Sequence, residues 1–320
     1  MVAALALALV AGLGVTGCGG DGSYDSVRLG YLLNLTHGPA IIGLSNEMKG
    51  GLAGLPVDPV AFQTGPEEAA ALLSGSLDAA YMGPAPYILA ESRAPGRLRL
   101  LGGVVTGGQR LVATPGSGIR SVADLVGKRV AVPAHGNTQD LTLRLLLAQA
   151  GLRGDDQGGD VQIVPVKTSA LSDAIDGGAI DAVLAPEPYA AKLAAKGKVL
   201  PVADANAQID RWRIPATVLV VTEDFARAEP AATRALVEAN AAAVARAQRQ
   251  HLVVARAFNG VIEAQTGKTV DEPVLLAALQ GMRATTAIAP GAMDQMVRAA
   301  DLAGYLGGPV SPGALVPRPG

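Results

Sequence analysis

Four short segments carry the polar and proline residues that could bind a small ligand. Each follows an apolar run typical of a β-strand and precedes a stretch with helical spacing: 34–39 (NLTHGP), 83–86 (GPAP), 135–140 (HGNTQD) and 186–189 (PEPY). Proline fits the first turn of a helix, where the backbone N–H has no partner in any case. We therefore expect each segment to place the N-terminus of a helix, with its free N–H groups and partial positive charge, beside the end of a strand.

These segments favour the binding of a small anion. In open parallel sheets, the carboxyl ends of strands and the N-termini of helices share one edge, and ligands bind there. Backbone N–H groups can hold an oxyanion without a charged side chain, and the four segments contain no Lys or Arg. The loop Thr106-Gly107-Gly108-Gln109 adds glycines that let the backbone approach a ligand closely.

Several of these residues also have a purely structural interpretation. His37 could lie near the ligand, cap a helix or lie on the surface. Glu187 could accept a ligand amine, orient a neighbouring side chain or cap its helix. Trp212, the single tryptophan, could line the cleft or pack at a hinge. Asn137 and Asp140 have the spacing of a capping box.

The elements that position these segments alternate between strand-like and helix-like patterns. Strands are predicted at 27–33, 57–62, 77–82, 98–105, 110–114, 129–133, 161–166, 180–185 and 216–221, and helices at 39–49, 66–74, 137–150, 168–176 and 188–196. This alternation is typical of βαβ units and a largely parallel sheet, so the fold class is α/β. After residue 222 the pattern predicts helices only, at 224–264, 271–283 and 291–306.

The chain also contains an internal repeat. Residues 75–87 read GSLDAAYMGPAPY and residues 178–189 read GAIDAVLAPEPY. Thr64 and Thr168 precede the two aspartates of these segments by 14 and 13 residues. The repeat predicts two similar α/β lobes with a cleft between them. The alternative is a chance similarity between ordinary βα units in an alanine-rich chain.

The N-terminus resembles a bacterial lipoprotein signal. An apolar run over 1–15 is followed by small residues and then by Cys18, the single cysteine. The resemblance implies a signal peptide over 1–17, cleavage before Cys18, lipidation of its thiol, and a flexible tether over 18–26. No Lys or Arg precedes the apolar run, which departs from the usual pattern. The alternative is a short apolar helix with an incidental cysteine.

The composition excludes two broad classes. The 320 residues carry 26 Lys+Arg and 28 Asp+Glu, and 49% are hydrophobic. A disordered chain would need low hydrophobicity and a high net charge. A nucleic-acid-binding protein would carry a basic surplus, so we expect no nucleic-acid partner. The length suggests two domains.

The motifs and their order resemble the substrate-binding proteins of ABC importers for aliphatic sulfonates, nitrate and taurine. The segments that carry the resemblance include GYLLNLTHGPAIIGL, LDAAYMGPAPYILA, SVADLVGKRVAVPAHGNTQD and IDAVLAPEPYA. It implies a periplasmic-binding-protein fold of type II, in which two crossover strands join two α/β lobes around a ligand cleft. Lobe 1 would comprise 27–112 and 217–320, and lobe 2 would comprise 113–216. The crossovers would fall near 114–116 and 213–215.

The resemblance also implies which residues contact the ligand. They are Asn34, Thr36, His37, Gly83, Pro84, Gly108, Gln109, Asn137, Thr138, Gln139 and Glu187. One departure concerns the shape of the pocket. The family often has Trp where this chain has Tyr189, and tyrosine offers less stacking area but adds a hydroxyl.

The function implied is that of an extracytoplasmic, lipid-anchored monomer. It would capture a small anionic solute by hinge closure and deliver it to a permease and its ATPase, with no catalysis, cofactor or metal. One alternative solute is a neutral or cationic heterocycle such as a thiamine pyrimidine precursor, for which Tyr81, Tyr87, Tyr189 and Trp212 are available. A pyrimidine-precursor synthase of the same fold is disfavoured, because those relatives carry a cysteine-rich cluster.

Overall fold

A computed structural model of the chain describes residues 24–319. Cys18 and the predicted signal peptide over 1–17 lie outside the described residues, as does most of the predicted tether. The part of the tether that is described packs on the fold, because the ring of Tyr24 lies edge-on against Phe225 at 4.8 Å between centroids. No helix within 24–319 combines the length and apolar character needed to cross a membrane.

The first sheet has six strands in the order β11-β4-β10-β3-β1-β2. They are β1 (Val27–Leu32), β2 (Val57–Phe62), β3 (Ala79–Met82), β4 (Leu98–Gly107), β10 (Pro215–Thr222) and β11 (Met282–Ala284). β1 runs parallel to both β2 and β3, and β10 runs antiparallel to both β3 and β4. The parallel strands place their carboxyl ends at one edge, as expected for an α/β fold.

The second sheet has five strands in the order β7-β6-β8-β5-β9. They are β5 (Gln109–Ala113), β6 (Arg129–Val132), β7 (Gln162–Pro165), β8 (Ala182–Pro186) and β9 (Leu200–Pro201). β6 runs parallel to β7 and β8, while β5 runs antiparallel to β8. The order β2-β1-β3-β10 in the first sheet therefore corresponds to β7-β6-β8-β5 in the second. The two repeated sequence segments supply the equivalent strands β3 and β8, and the predicted α/β class is confirmed.

The chain passes between the sheets at two places. The first passage lies at Gly107 and Gly108, both with positive φ (79° and 78°). The sequence placed it near 114–116, but residues 109–113 pair with β8 and belong to the second sheet. The position near 114–116 was implied by the resemblance to the family, and the apolar run over 110–114 indicates a strand without indicating which sheet that strand joins. The return lies at Arg213 and Ile214, between α7 and β10, within the predicted 213–215.

Twelve α-helices lie within the described residues. They are α1 (Gly38–Ser45), α2 (Gly65–Leu73), α3 (Pro84–Arg93), α4 (Thr138–Gln149), α5 (Leu171–Asp176), α6 (Tyr189–Ala195), α7 (Ala203–Trp212), α8 (Glu223–Ala228), α9 (Pro230–Arg249), α10 (His251–Thr266), α11 (Glu272–Gln280) and α12 (Ala292–Leu302). Helix α7 was not predicted from the sequence. The prediction of helices only after residue 222 is wrong, because Met282–Ala284 pairs with β4 as a strand.

One apolar cluster extends across both sheets. It contains Met82 and Leu100 of the first sheet, Val130 and Leu184 of the second, and Met296 of α12. Helix α12 packs against both α3 and α4. Because apolar burial is the main favourable contribution to packing, this cluster joins the two halves of the molecule.

Candidate functional site

A cavity of about 40 Å³ lies between the two sheets, at the carboxyl ends of their parallel strands. The lining includes seven of the residues that the sequence analysis singled out: Asn34, Thr36, His37, Gly83, Asn137, Thr138 and Gln139. Four others do not line it: Pro84, Gly108, Gln109 and Glu187. The strands β1, β3, β6 and β8 end at this edge, and a helix begins a few residues after each of them. This is the arrangement that the four loop segments predicted.

His37 reaches the cavity from the short 3-10 turn between β1 and α1. It is 1% exposed, and its Nδ1 accepts a hydrogen bond from the backbone N–H of Leu32 at 3.2 Å. Burial lowers the pKa of His37 from 6.5 to about 3, so the ring is neutral at pH 7. Because Nδ1 is the acceptor, the single ring proton lies on Nε2, which is then a donor.

Asn34 and Asn137 also offer donors, because each side-chain oxygen accepts a hydrogen bond within the protein while each NH₂ group has no partner among the described residues. The Asn34 Oδ1 accepts a hydrogen bond from the hydroxyl of Thr36. The Asn137 Oδ1 accepts one from the backbone N–H of Gly65 at 3.1 Å. The group left free on each side chain is the amide NH₂, which can only donate.

The predicted capping box at Asn137 and Asp140 is wrong. Asn137 is the N-cap residue of α4, but its side chain makes no bond to that helix. It reaches instead to Gly65, in the first turn of α2 on the other side of the cavity. Asp140 accepts from the N–H of Gly136 at 2.8 Å and pairs with the buried Arg144 at 2.9 Å. The capping spacing was correct, but Asn137 bonds to another helix, and Asp140 bonds to Arg144 of its own helix and to the preceding Gly136.

Thr138 and Gly83 meet across the cavity. The Thr138 Oγ1 is buried and has no hydrogen-bond partner within the described chain. A Cβ added at Gly83 would lie 2.4 Å from that oxygen, far inside van der Waals contact. The arrangement therefore requires glycine at position 83. The Thr138 hydroxyl is the one buried and unpartnered hydroxyl among the cavity-lining residues within 24–319.

Glu187 lies beside the cavity and caps α6. One of its carboxylate oxygens accepts from the backbone N–H of Ala191 at 3.0 Å, and its backbone carbonyl accepts from the N–H of Leu35 at 2.9 Å. Burial raises the pKa of Glu187, with partial offsets from the Ala191 bond and the charge of Arg110. Of the three interpretations open for Glu187, helix capping is the one that its contacts support.

The remaining predicted residues support the cavity from outside it. The buried Gln109 donates from Nε2 to the Thr142 hydroxyl at 3.1 Å. A Cβ at Gly108 would lie 2.8 Å from the methyl of Thr36, so this glycine lets β5 approach the cavity loop. Pro84 is the first residue of α3. Trp212 packs in the apolar cluster that spans both sheets, which is the packing alternative.

Sequence analysis missed part of the lining. Gln63, Gly65 and Thr168 line the cavity without having been named as site residues. Tyr189, which was expected to affect the shape of the pocket, also lines it and donates its hydroxyl to the backbone carbonyl of Leu33 at 3.3 Å. Thr168 had a signal, since it stands at the matched position of the internal repeat. Gly65 had none, because its partner Asn137 lies 72 residues away in sequence.

The lining carries no Lys, Arg, Asp or Glu side chain. Among residues 24–319, no group of three or more His, Cys, Asp or Glu side chains is arranged to hold a metal ion. The site is therefore a cavity without charged side chains, in which the amides of Asn34 and Asn137 and the His37 Nε2 are free donors. Such a cavity suits a solute rich in hydrogen-bond acceptors.

The profile of the NMT1-like family matches residues 21–257. Among individual proteins, the chain is 35% identical over 160 residues to a candidate binding protein of Brucella abortus (strain 2308), covering 49% of this chain and 46% of that protein. It is 30% identical over 199 residues to the taurine-binding periplasmic protein of Escherichia coli (strain K12), covering 62% of this chain and 59% of that protein. The chain thus spans about half the length of the curated relatives it matches.

A solved structure shows the same fold over nearly the whole chain. The alkanesulfonate-binding protein of Xanthomonas axonopodis pv. citri, bound to MOPS, superposes with a TM-score of 0.70 at 18% identity, covering 92% of this chain and 97% of that chain. The expected resemblance to solute-binding proteins of the sulfonate, nitrate and taurine type is confirmed. By the extent of the family match, the chain belongs to the NMT1-like family.

Proposed function

We propose that the protein is the solute-binding component of an ABC importer and holds a small oxyanion in the cavity between its two sheets. The observation that carries this proposal is the direction of the free hydrogen bonds. The Asn34 and Asn137 amides and the His37 Nε2 are all left as donors, because the acceptor atom of each side chain is already occupied. Oxygen atoms of a sulfonate or nitrate would complete them.

The absence of charged side chains from the lining is compatible with an anionic solute. Neutral dipoles fixed in a buried site stabilise a charge effectively, since they need little reorganisation when the charge arrives. A buried arginine would instead carry a large desolvation cost in the empty cavity. The relatives named above, a taurine-binding and an alkanesulfonate-binding protein, support the same solute class.

The size of the cavity favours a small solute. A volume of about 40 Å³ corresponds to roughly three water-sized groups. Nitrate or the head group of a sulfonate fits this space. A longer sulfonate needs the two halves to separate further than they do here.

Contacts between the two halves support a hinge that closes around the solute. Among residues 24–319, three hydrogen bonds join the halves near the cavity. One is the Gly65–Asn137 bond; in the others the Leu35 N–H donates to the Glu187 carbonyl and the Tyr189 hydroxyl donates to the Leu33 carbonyl. A solute that binds the halves together adds contacts that the open state lacks, and so shifts the population toward closure. The closed form would then deliver its solute to the permease.

A heterocyclic solute has less support. Tyr81 and Tyr87 are fully buried and do not line the cavity, and Trp212 is packed in the core. Besides the imidazole of His37, Tyr189 and Phe62 bring aromatic rings to the lining. A flat pyrimidine would be held by stacking between aromatic rings. Because most of the lining is polar or aliphatic, the cavity offers little surface for such stacking.

The proposed location is extracytoplasmic, with lipid on Cys18 as the membrane anchor of a monomer. One acyl chain binds membranes only marginally, so more than one chain would be attached. Replacing Cys18 by Ala should move the protein from the membrane fraction to the soluble fraction. Continued membrane association of the Cys18→Ala protein would contradict the anchor and leave the solute site untouched.

The solute is tested by a thermal-shift screen of the full-length chain with nitrate, taurine, alkanesulfonates and an aminopyrimidine. At least one oxyanion should raise the melting temperature in a concentration-dependent way, since a ligand that binds only the folded state stabilises it. A shift with the pyrimidine alone would favour the heterocycle. Turnover of any bound compound would contradict the binding-protein assignment.

A further inference from the structure

A second and larger cavity, of about 640 Å³, lies on the side of the two passages between the sheets. Its lining comes from both halves of the molecule: the end of β4, Arg110 of β5, Asp210 of α7, Arg213 of the return passage, and β11 with the segment that follows it. It shares no lining residue with the candidate site. The proposed function uses none of its residues.

Three arginines and one carboxylate line this cavity. Arg110 donates from Nη1 to the Asp210 Oδ1 at 2.7 Å and from Nη2 to the Gly281 carbonyl at 3.5 Å. Arg213 and Arg283 form no ion pair with any residue in the range 24–319. The lining therefore carries two guanidinium groups more than it can neutralise.

The backbone of the cavity is closely fitted around Arg110. A Cβ at Gly281 would lie 2.9 Å from the Arg110 Nη2, and a Cβ at Gly107 would lie 2.7 Å from the Gly281 carbonyl oxygen. Arg213 has a φ of 52°, in the left-handed region that non-glycine residues seldom adopt. Arg213, which has this backbone conformation, is thus one of the two lining arginines that form no ion pair within the described residues.

We propose that this second cavity binds a polyvalent oxyanion, one with at least two negative charges on phosphate or carboxylate groups. One guanidinium group can donate two parallel, charge-assisted hydrogen bonds to two oxygens of the same phosphate or carboxylate group. Two unpaired guanidiniums on different elements match a ligand with two charged ends. Because these elements belong to both halves, the bound anion bridges the hinge.

The test is a calorimetric titration of the full-length chain with pyrophosphate at fixed salt concentration. The wild type should bind one pyrophosphate, and Arg213→Gln combined with Arg283→Gln should weaken that affinity at least about tenfold. Arg211→Gln is the matched control. Arg211 is exposed, lies two residues from Arg213, and donates to Gln208 outside the cavity, so its removal should leave the affinity unchanged.

Three results would overturn the proposal. The first is no pyrophosphate binding by the wild type, and the second is an equal loss in Arg211→Gln, which would indicate diffuse surface charge. The third is loss of binding in Asn137→Asp, which would place pyrophosphate in the candidate solute site. Should the double variant fail to fold, Arg283→Gln alone carries the test, because that side chain is exposed on the short strand β11.

Discussion

The side-chain oxygen of Asn137 accepts a hydrogen bond from the backbone N–H of Gly65 at 3.1 Å, and this bond joins the first turns of α4 and α2 across the cavity. One side chain thus has two roles. Its oxygen bonds to the other half of the molecule, and its amide NH₂ is the proposed donor to the solute. Substitutions that separate the two roles test the proposed site.

Asn137→Asp keeps an oxygen that can accept from Gly65 but replaces the donor with a negative oxygen. Asn137→Ala removes both groups. We expect Ala to weaken oxyanion binding about tenfold, as for one lost hydrogen bond, and Asp to weaken it further by repulsion. Isothermal calorimetry measures both affinities. An affinity of the Asp variant equal to that of the wild type would show that the amide is not a donor to the solute.

The burial of His37 leads to two predictions about pH, one for the stability of the protein and one for its affinity for an oxyanion. Its pKa in the folded state, about 3, lies below the unfolded value of 6.5, so between these values the unfolded chain binds the additional proton. The His37 contribution to stability is therefore present above pH 6.5 and is lost as the pH falls toward 3. Oxyanion affinity should not rise between pH 7 and 5 on account of His37, because the ring stays neutral in the folded protein.

The predicted effect of His37 on stability is measured as the drop in melting temperature between pH 7 and pH 5. His37→Gln should show a smaller drop than the wild type. His251→Gln is the control, since His251 is exposed on α10 and should leave the drop unchanged. A drop of the same size in all three proteins would contradict the neutral, buried state of His37.

Gly83→Ala should prevent the two halves from closing, because the new Cβ would lie 2.4 Å from the Thr138 Oγ1. We expect oxyanion affinity to fall by about tenfold or more. In a Thr138→Ala background the same change should have little effect, since the nearest remaining atom is then the Pro86 Cδ at 3.3 Å. A double-mutant cycle measures this coupling. Equal losses in the two backgrounds would show that the contact does not limit closure.

Glu68 of α2 predicts a pH dependence of opposite sign. It is 0% exposed, neither carboxylate oxygen has a hydrogen-bond partner within the described chain, and burial raises its pKa well above 4.5. The folded protein keeps the proton that the unfolded chain releases, so the Glu68 contribution is fully present below pH 4.5 and is lost as the pH rises above it. Glu68→Gln should therefore gain melting temperature over the wild type as the pH rises from 5 to 8.

Glu67→Gln is the matched control for that measurement. Glu67 is the exposed neighbour of Glu68 on the same helix, and its substitution should shift the melting temperature equally at every pH in this range. A Glu68→Gln profile parallel to that of the wild type would mean that Glu68 is ionised in the folded protein.

The positions of the loops were predictable from the sequence, while their partners were not. A strand, a polar turn and a helix-starting proline are local signals, so the segments around His37, Gly83 and Asn137 were found. The repeat also placed β3 and β8 in equivalent positions. Which sheet β5 joins, which backbone N–H Asn137 reaches, and how deeply Glu68 is buried depend on contacts distant in sequence. Local patterns carry no signal for such contacts.

The central claim is that neutral donors between the two sheets hold an oxyanion, and calorimetry of the full-length chain with methanesulfonate, taurine, nitrate and an aminopyrimidine tests it most directly. We expect at least one of the three oxyanion ligands to bind with one solute per chain, and the pyrimidine not to bind. Binding of the pyrimidine together with no heat from all three oxyanion ligands would contradict it.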